Sequence, residues 1–385
     1  MPWFNMMRVL QIAVAVTIAM PSLPAPAAQG TLPERIFISG HSLVDQPLPS
    51  NLAAIAASLG TPLQWNRQYM VGSSLRDRAR GAAAAPEVAT WNGYRQGQNR
   101  DTENLDVLAE WRAPKTVTGG AFDSLLITEQ HGLLGSLLWH DTVRYLRHHH
   151  DRFISGNAKG RTWFYESWLG LDDKSDPRRW IAYERAASPI WQCLATRINL
   201  SLAAEGRIDR IETLAAGVAL AGLVERATQG SGVAGVTADS VRETVDRIVN
   251  DQVHLTELGA YYVSLVTYAS MFDRNPAGAW APAALGGVAA RSLQTIAWEL
   301  VQQERRERQP LTLDECQGRL QRSFIAAYWG YLRDSTWVSE VGTPSAWLRW
   351  AKYRVQWHWR LRRNGSENPL RYNPATDRAY WLPAP

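Results

Sequence analysis

Apolar runs of strand length alternate with longer amphipathic stretches along most of the chain. β-Branched and aromatic residues bounded by turn residues predict strands over 35–42, 63–71, 123–128, 162–168 and 208–214. Helical periodicity predicts helices over 51–59, 137–153, 190–205, 261–272 and 292–304. This alternation is typical of an α/β fold, in which helices cover both faces of a parallel sheet. We therefore predict a three-layer α/β/α architecture, with chemistry at the carboxyl ends of the strands.

Residues 76–120 interrupt this alternation. The stretch is polar, contains several glycines and includes the segment 97–103, GQNRDTE. It predicts a long surface insertion between two strands, and such insertions in compact domains are often functional.

The first 28 residues have the pattern of a secretory signal peptide. Arg8 precedes an apolar run over 9–20, and small residues follow at Ala25 and Ala27. The alternative is an uncleaved N-terminal anchor, although the run is short for a membrane span. We expect a secreted or periplasmic protein. Cys193 and Cys316 would then meet an oxidising compartment, where they either pair or stay separate.

Composition excludes several classes of protein. Hydrophobic residues make up 45% and charged residues 20%, so the chain is not intrinsically disordered. Two cysteines are too few for a disulfide-rich scaffold or a Cys-based zinc module. The net charge of +5 is too small to indicate nucleic acid as the main partner.

The charge and the tryptophans are concentrated in a C-terminal extension, residues 306–385. It carries 13 Lys and Arg against 7 Asp and Glu, and 7 of the 18 tryptophans. We therefore divide the chain into a signal peptide (1–28), an α/β domain (29–305) and this mainly helical extension.

Within the extension, residues 346–363 form a basic amphipathic helix. A stripe of apolar residues runs along it, and basic side chains fall mostly off that stripe; the stripe consists of Trp347, Trp350, Trp357 and Leu361. Such a helix either docks its stripe onto the α/β domain or contacts a membrane interface or an anionic polymer. The extension is too short for a confident core of its own, which favours docking.

Ser42 follows the first predicted strand and is a candidate nucleophile. A serine hydroxyl needs a neighbouring base and a carboxylate that orients the base. Asp251 and His254 lie three residues apart before a predicted helix, a spacing that lets the carboxylate reach one imidazole nitrogen while the other faces the cleft. A pair of this kind is weak evidence by itself, because a helix-capping Asp beside a surface His has the same spacing.

Three segments together resemble the SGNH hydrolases, also called the GDSL esterase/lipase superfamily. Residues 40–43 (GHSL) resemble its first block, with His41 where the name-giving motif has Asp. Residues 69–74 (YMVGSS) resemble the second block, and 251–254 (DQVH) the last. The resemblance covers residues 35–305 and implies a flavodoxin-like SGNH hydrolase fold. It also implies a Ser42–His254–Asp251 triad and an oxyanion hole that includes the N–H groups of Ser42 and Gly72.

The third block departs from the family, which has an oxyanion-binding asparagine there. Residues 128–132 read Thr-Glu-Gln-His-Gly. Gln130 carries the same amide donor one methylene further out and is the candidate replacement. Glu129 is a poor replacement for the asparagine, because a carboxylate repels an oxyanion. The alternatives to Gln130 are a rewired hole and a purely structural loop.

Two further clusters invite functional interpretations. Glu166 and Trp168 end a predicted strand, where an exposed Trp beside a carboxylate could bind a sugar; the alternative is a strand end packed under a helix. His148, His149 and His150 are consecutive, so their side chains diverge on a helix and cannot converge on one metal ion. We interpret them as a solvated helix face and expect no metal and no organic cofactor.

These features predict an exported serine esterase that hydrolyses an O-acyl ester. Export and the Trp-rich surface favour an acetyl ester on a carbohydrate. The alternatives are a glycan-binding envelope protein without hydrolase activity, which the altered third block favours, and an acyltransferase with the same triad.

Overall fold

The strands form one parallel sheet. The computed structural model describes residues 34–82 and 90–383, so the predicted signal peptide lies outside the described residues. The strands are β1 (Glu34–Gly40), β2 (Leu63–Tyr69), β3 (Ser124–Thr128), β4 (Arg161–Tyr165) and β5 (Ile211–Leu214). Their order is β2-β1-β3-β4-β5. In doubly wound sheets of this order, ligands bind at the carboxyl ends of β1 and β3, the switch point at which the strand order reverses. The predicted three-layer α/β/α fold with a helical extension is confirmed.

Helices pack on the sheet and continue into the extension. They are α1 (Leu48–Ser58), α2 (Leu75–Arg80), α3 (Val107–Arg112), α4 (Leu133–Trp139), α5 (Thr142–Gly156), α6 (Arg178–Ala204), α7 (Ala216–Thr228), α8 (Val241–Asp246), α9 (Glu257–Phe272), α10 (Gly287–Glu307), α11 (Leu313–Arg319), α12 (Ile325–Leu332), α13 (Val338–Val341), α14 (Thr343–Arg360) and α15 (Asp377–Tyr380). Short 3₁₀ segments lie at Ser42–Val44, Asn92–Arg95 and Ala283–Leu285, and π-helical turns at Leu320–Phe324 and Arg333–Trp337. The described residues belong to one compact unit.

The central strands are apolar because helices cover them on both sides. Every residue of β3 is buried, and Phe37 of β1 packs edge-on against Trp111 and Phe122. Trp111 belongs to the segment that we predicted to be a surface insertion. That prediction is wrong for part of the segment, because Tyr94, Val107 and Trp111 are core residues, whereas residues 100–104 are exposed at the surface.

The predicted helix over 137–153 is two helices. Asp141 adopts a left-handed backbone conformation, with φ of 49°, and separates α4 from α5. The chain therefore changes direction before the three consecutive histidines.

The interpretation of His148, His149 and His150 as a solvated face is wrong, because all three are buried. His148 stacks on Trp91 with ring centroids 4.0 Å apart. Nε2–H of His149 donates to the Leu75 carbonyl at 3.0 Å, and Nε2–H of His150 donates to Asp209 at 2.7 Å. The three side chains diverge, as expected, and each finds a separate partner within the core.

The C-terminal extension packs against the α/β domain. A disulfide joins Cys193 of α6 to Cys316 of α11, closing a separation of 123 residues. Trp357 and Leu361 of the predicted apolar stripe are buried, whereas Trp347 remains 48% exposed. No helix in 34–82 or 90–383 is long and apolar enough to cross a membrane.

Candidate active site

The first strand delivers Ser42 to the carboxyl edge of the sheet. A Cβ on Gly40 would lie 2.1 Å from a methyl group of Val44, so only glycine lets the chain turn directly into the 3₁₀ segment. His41, at the position of the family's Asp, is buried: its Nε2–H donates to the Glu129 carbonyl at 3.1 Å and its Nδ1 accepts the Leu43 N–H. His41 therefore positions the turn that carries Ser42.

Ser42, His254 and Asp251 form a continuous hydrogen-bonded chain. His254 Nε2 lies 3.0 Å from Ser42 Oγ, and His254 Nδ1 lies 2.7 Å from Asp251 Oδ2. Because a carboxylate only accepts, the proton of a neutral His254 sits on Nδ1. Nε2 then has a free lone pair that accepts the Ser42 hydroxyl proton. This tautomer is the one that a general base for Ser42 requires.

The loop that carries Asp251 and His254 is held by several backbone contacts. Asp251 Oδ1 accepts the N–H groups of Val253 and His254, each at 2.7 Å. Desolvation raises the pKa of Asp251, but these hydrogen bonds and the His254 ring outweigh it and lower the pKa to about 2. Asp251 is therefore ionised at neutral pH.

A second loop, which follows β4, donates hydrogen bonds to the loop that carries Asp251 and His254. Trp168 Nε1–H donates to the Val253 carbonyl at 2.8 Å, and the Leu171 N–H donates to the Gln252 carbonyl at 2.7 Å. The Tyr331 hydroxyl of the extension donates to the Gly170 carbonyl in turn. The extension is thus linked to the candidate triad through one intervening loop.

Gly72 follows β2 and Gln130 follows β3, at the same carboxyl edge of the sheet to which β1 delivers Ser42. Gly72 has φ of 60°, a conformation that favours glycine, and its N–H has no acceptor among the described residues. The Gln130 side chain donates from Nε2 to the Gly72 carbonyl at 3.0 Å. One of its two amide hydrogens is therefore used to hold the Gly72 loop, which leaves the other for a ligand at the switch point between β1 and β3.

Buried charges beneath these loops were not found by sequence reasoning. Arg78 donates to Ser39 Oγ, to the Ser73 carbonyl at 3.0 Å and to the Thr128 carbonyl. The Glu129 carboxylate accepts from the N–H groups of Leu75 and Gln130 and from the Thr142 hydroxyl. Burial lowers the pKa of Arg78 to about 10 although the Glu129 charge opposes it. This pair connects the ends of β1, β2 and β3.

Burial lowers the pKa of two histidines near the candidate site, His41 and His131. Burial, with the nearby Arg78 charge, lowers the pKa of His41 to about 3. Burial and the His254 ring also lower the pKa of His131, which lies in the third block. Protonation of His41 and His131 is therefore disfavoured.

The chain matches no protein-family model and no curated protein. Among solved structures it is similar to the crystal structure of a DUF4886 family protein from Bacteroides uniformis ATCC 8492. The two are 12% identical with a TM-score of 0.47, and the match covers 70% of this chain and 95% of that chain. A likeness of this size carries no argument about function.

Glu166 and Trp168 do not face the cleft. Their exposed fractions are 1% and 2%, so the expectation of an exposed sugar-stacking pair is wrong. Trp168 instead donates a hydrogen bond to the Val253 carbonyl, and Glu166 accepts one from the Ser188 hydroxyl at 3.1 Å.

In the described part of the chain, no group of three or more His, Cys, Asp or Glu side chains is placed to hold a metal ion.

Glu166 makes the stability of the fold depend on pH. Burial raises its pKa from 4.5 to about 8. As pH rises from about 5 to about 8, the unfolded chain ionises this carboxyl while the folded chain keeps it protonated, so folding stability falls. Glu166→Gln should remove the effect and be more stable than wild type at about pH 8 by at least roughly 2 kcal/mol, with little difference at about pH 5. Urea unfolding at both pH values measures this, and an equal difference at both contradicts it.

Proposed function

We propose that the protein is an exported serine esterase that hydrolyses an O-acyl ester, with Ser42 as the nucleophile. The observation that carries the proposal is the hydrogen-bonded chain from Ser42 Oγ through His254 to Asp251. The sequence resemblance to the SGNH hydrolases points to the same three residues.

The geometry supports a two-step acyl transfer. Ser42 Oγ attacks the ester carbonyl while His254 Nε2 takes the hydroxyl proton, and Asp251 stabilises the imidazolium that forms. The N–H groups of Ser42 and Gly72, with the second amide hydrogen of Gln130, stabilise the oxyanion. His254 then protonates the departing alcohol. Water repeats the sequence on the acyl-enzyme, releasing the acid and regenerating Ser42.

Exposure of the triad favours a short acyl group on a bulky alcohol. The side chains of His254 and Asp251 are 46% and 53% exposed, so neither lies under a lid formed by the described residues. A polymer can approach such a site, whereas a long acyl chain gains little apolar burial there. An acetyl ester on a carbohydrate fits both conditions. Free access of water also favours hydrolysis over acyl transfer to a second alcohol.

The proposal is tested by comparing esters that differ in acyl length and in alcohol. The protein should hydrolyse 4-nitrophenyl acetate faster than the octanoate, and should release acetate from an O-acetylated polysaccharide. Intact-mass analysis after reaction with a fluorophosphonate should locate the adduct on Ser42. Absence of both turnover and labelling would leave the glycan-binding alternative ahead.

A further inference from the structure

Helix α14 has two apolar faces, of which only one is covered. Trp357 is buried and packs edge-on against Trp139 of α4 and Trp329 of α12, with ring centroids 5.5 Å and 5.3 Å away. This contact accounts for the buried part of the stripe that the sequence indicated, whereas Trp347 at its start remains 48% exposed. Leu348 and Val355 lie elsewhere on the helix and are 74% and 71% exposed.

The uncovered face is a continuous stripe. Leu348, Val355 and Trp359 are separated by seven and four residues, which places them within an arc of about 40° on an α-helix. Trp359 is 63% exposed, so most of the surface of each of the three side chains is accessible to solvent. An apolar stripe of this length on a protein surface is typical of an interaction site.

Positive charge surrounds the stripe. Residues 343–363 contain six Lys and Arg and no Asp or Glu. Lys352 lies on the same arc, and the Arg362 guanidinium lies 4.2 Å from the Trp359 ring centroid. Neither side chain has an acidic partner among the described residues, whereas Arg360 and Arg363 are paired with Glu367 and Asp314. The charge next to the stripe is therefore available to an external anion.

We propose that the outer face of α14, defined by Leu348, Lys352, Val355 and Trp359 together with Arg362 just beyond the end of the helix, binds an anionic lipid surface. Apolar side chains flanked by cations on one face of a helix are typical of helices that lie in the membrane interface. Leu348 and Val355 fit acyl chains, since aliphatic side chains offer a sugar neither a stacking plane nor a hydrogen bond. The stripe thus favours lipid over an anionic polysaccharide.

The bound helix would hold the candidate active site near the lipid surface. α4 begins three residues after Gln130 and ends at Trp139, which contacts Trp357 of α14. A helix of this length spans about 10 Å. The proposal does not depend on hydrolysis, because none of the five residues of the outer face belongs to the candidate triad.

Vesicle cosedimentation tests the proposal on protein that lacks the predicted signal peptide. We expect binding to vesicles of phosphatidylglycerol and phosphatidylcholine at low salt, and little binding to phosphatidylcholine alone. Leu348→Ser/Val355→Ser/Trp359→Ser should bind at least roughly 10-fold more weakly. Lys352→Gln/Arg362→Gln should bind roughly 30-fold more weakly. Ile208→Ser, at a position that is 92% exposed and outside α14, should bind like wild type.

A labelled cysteine separates insertion from simple charge attraction. Cys193 and Cys316 are paired, so Val355→Cys offers a thiol for an environment-sensitive fluorophore. Its emission should shift to the blue on anionic vesicles, and that of labelled Ile208→Cys should not. Retained melting temperature and ester hydrolysis confirm that each variant is folded. An unshifted emission, or equally tight binding to a soluble anionic polysaccharide, would overturn the proposal.

Discussion

Ser42→Ala is expected to reduce ester hydrolysis by roughly ten-thousand-fold or more, because loss of the nucleophile leaves only the oxyanion hole and substrate binding. The Ser42 side chain is partly exposed and its hydroxyl contacts His254 alone among the described residues. Its removal should therefore leave the melting temperature unchanged. Steady-state hydrolysis of 4-nitrophenyl acetate, together with thermal unfolding, measures both effects.

Ser50→Ala is the matched control, since Ser50 lies close in sequence on α1 and is exposed. It should hydrolyse the ester like wild type. If Ser42→Ala retained full turnover, the nucleophile assignment would fail while the membrane proposal for α14 would stand. Loss of turnover with a preserved fold would support an acyl-enzyme on Ser42.

The proximity of Ser42, Asp251 and His254 could be predicted through the resemblance to the SGNH hydrolases, which implies that the three side chains meet. The local patterns alone were insufficient, because a helix-capping Asp beside a surface His has the same spacing as Asp251 and His254. For Ser42 a physical rule also applies, since it follows a strand of a parallel sheet and such residues gather at one edge. The order of the strands follows the same logic, because right-handed crossovers leave few arrangements.

Burial of polar residues could not be predicted in this way. His148, His149 and His150 lie on a helix whose sequence is polar enough to suggest solvent, yet Trp91, Leu75 and Asp209 from distant segments cover them. Trp168 is buried for the same reason. Its partner, the Val253 carbonyl, lies 85 residues away in sequence. Such contacts depend on tertiary packing, which the local pattern does not encode.

The second apolar face of α14 was also missed. Trp residues dominate the pattern over 346–363. They indicate the stripe that contains Trp357 and obscure the second stripe, formed by Leu348, Val355 and Trp359. In the structure Trp357 is used for docking, which leaves Leu348, Val355 and Trp359 outside. Which of the two apolar faces is covered depends in part on α4, a helix that is distant in sequence from α14.

Arg78→Ala is expected to destabilise the fold by about 3–5 kcal/mol, the usual cost of leaving a buried charge uncompensated, because the Arg78 guanidinium attracts the nearby buried Glu129 carboxylate. The sequence LRDRAR gives no sign of this, because three arginines in two turns are typical of a solvated helix. In the structure the guanidinium is fully buried and ties Ser39, Ser73 and Thr128 together. Its loss leaves these acceptors and the Glu129 carboxylate without their cation. Urea unfolding measures the change.

Arg178→Ala is the matched control, because that side chain is 78% exposed and pairs with Asp176 at the surface. It should cost less than about 1 kcal/mol. Glu129→Gln should partly rescue an Arg78→Met protein, since the neutral amide no longer needs a cation, and the two changes should fail to add by about 1–3 kcal/mol. Additive changes, or an Arg78→Ala protein as stable as wild type, would show that the two charges do not act as a pair. In that case the ends of β1, β2 and β3 would be held by backbone contacts alone.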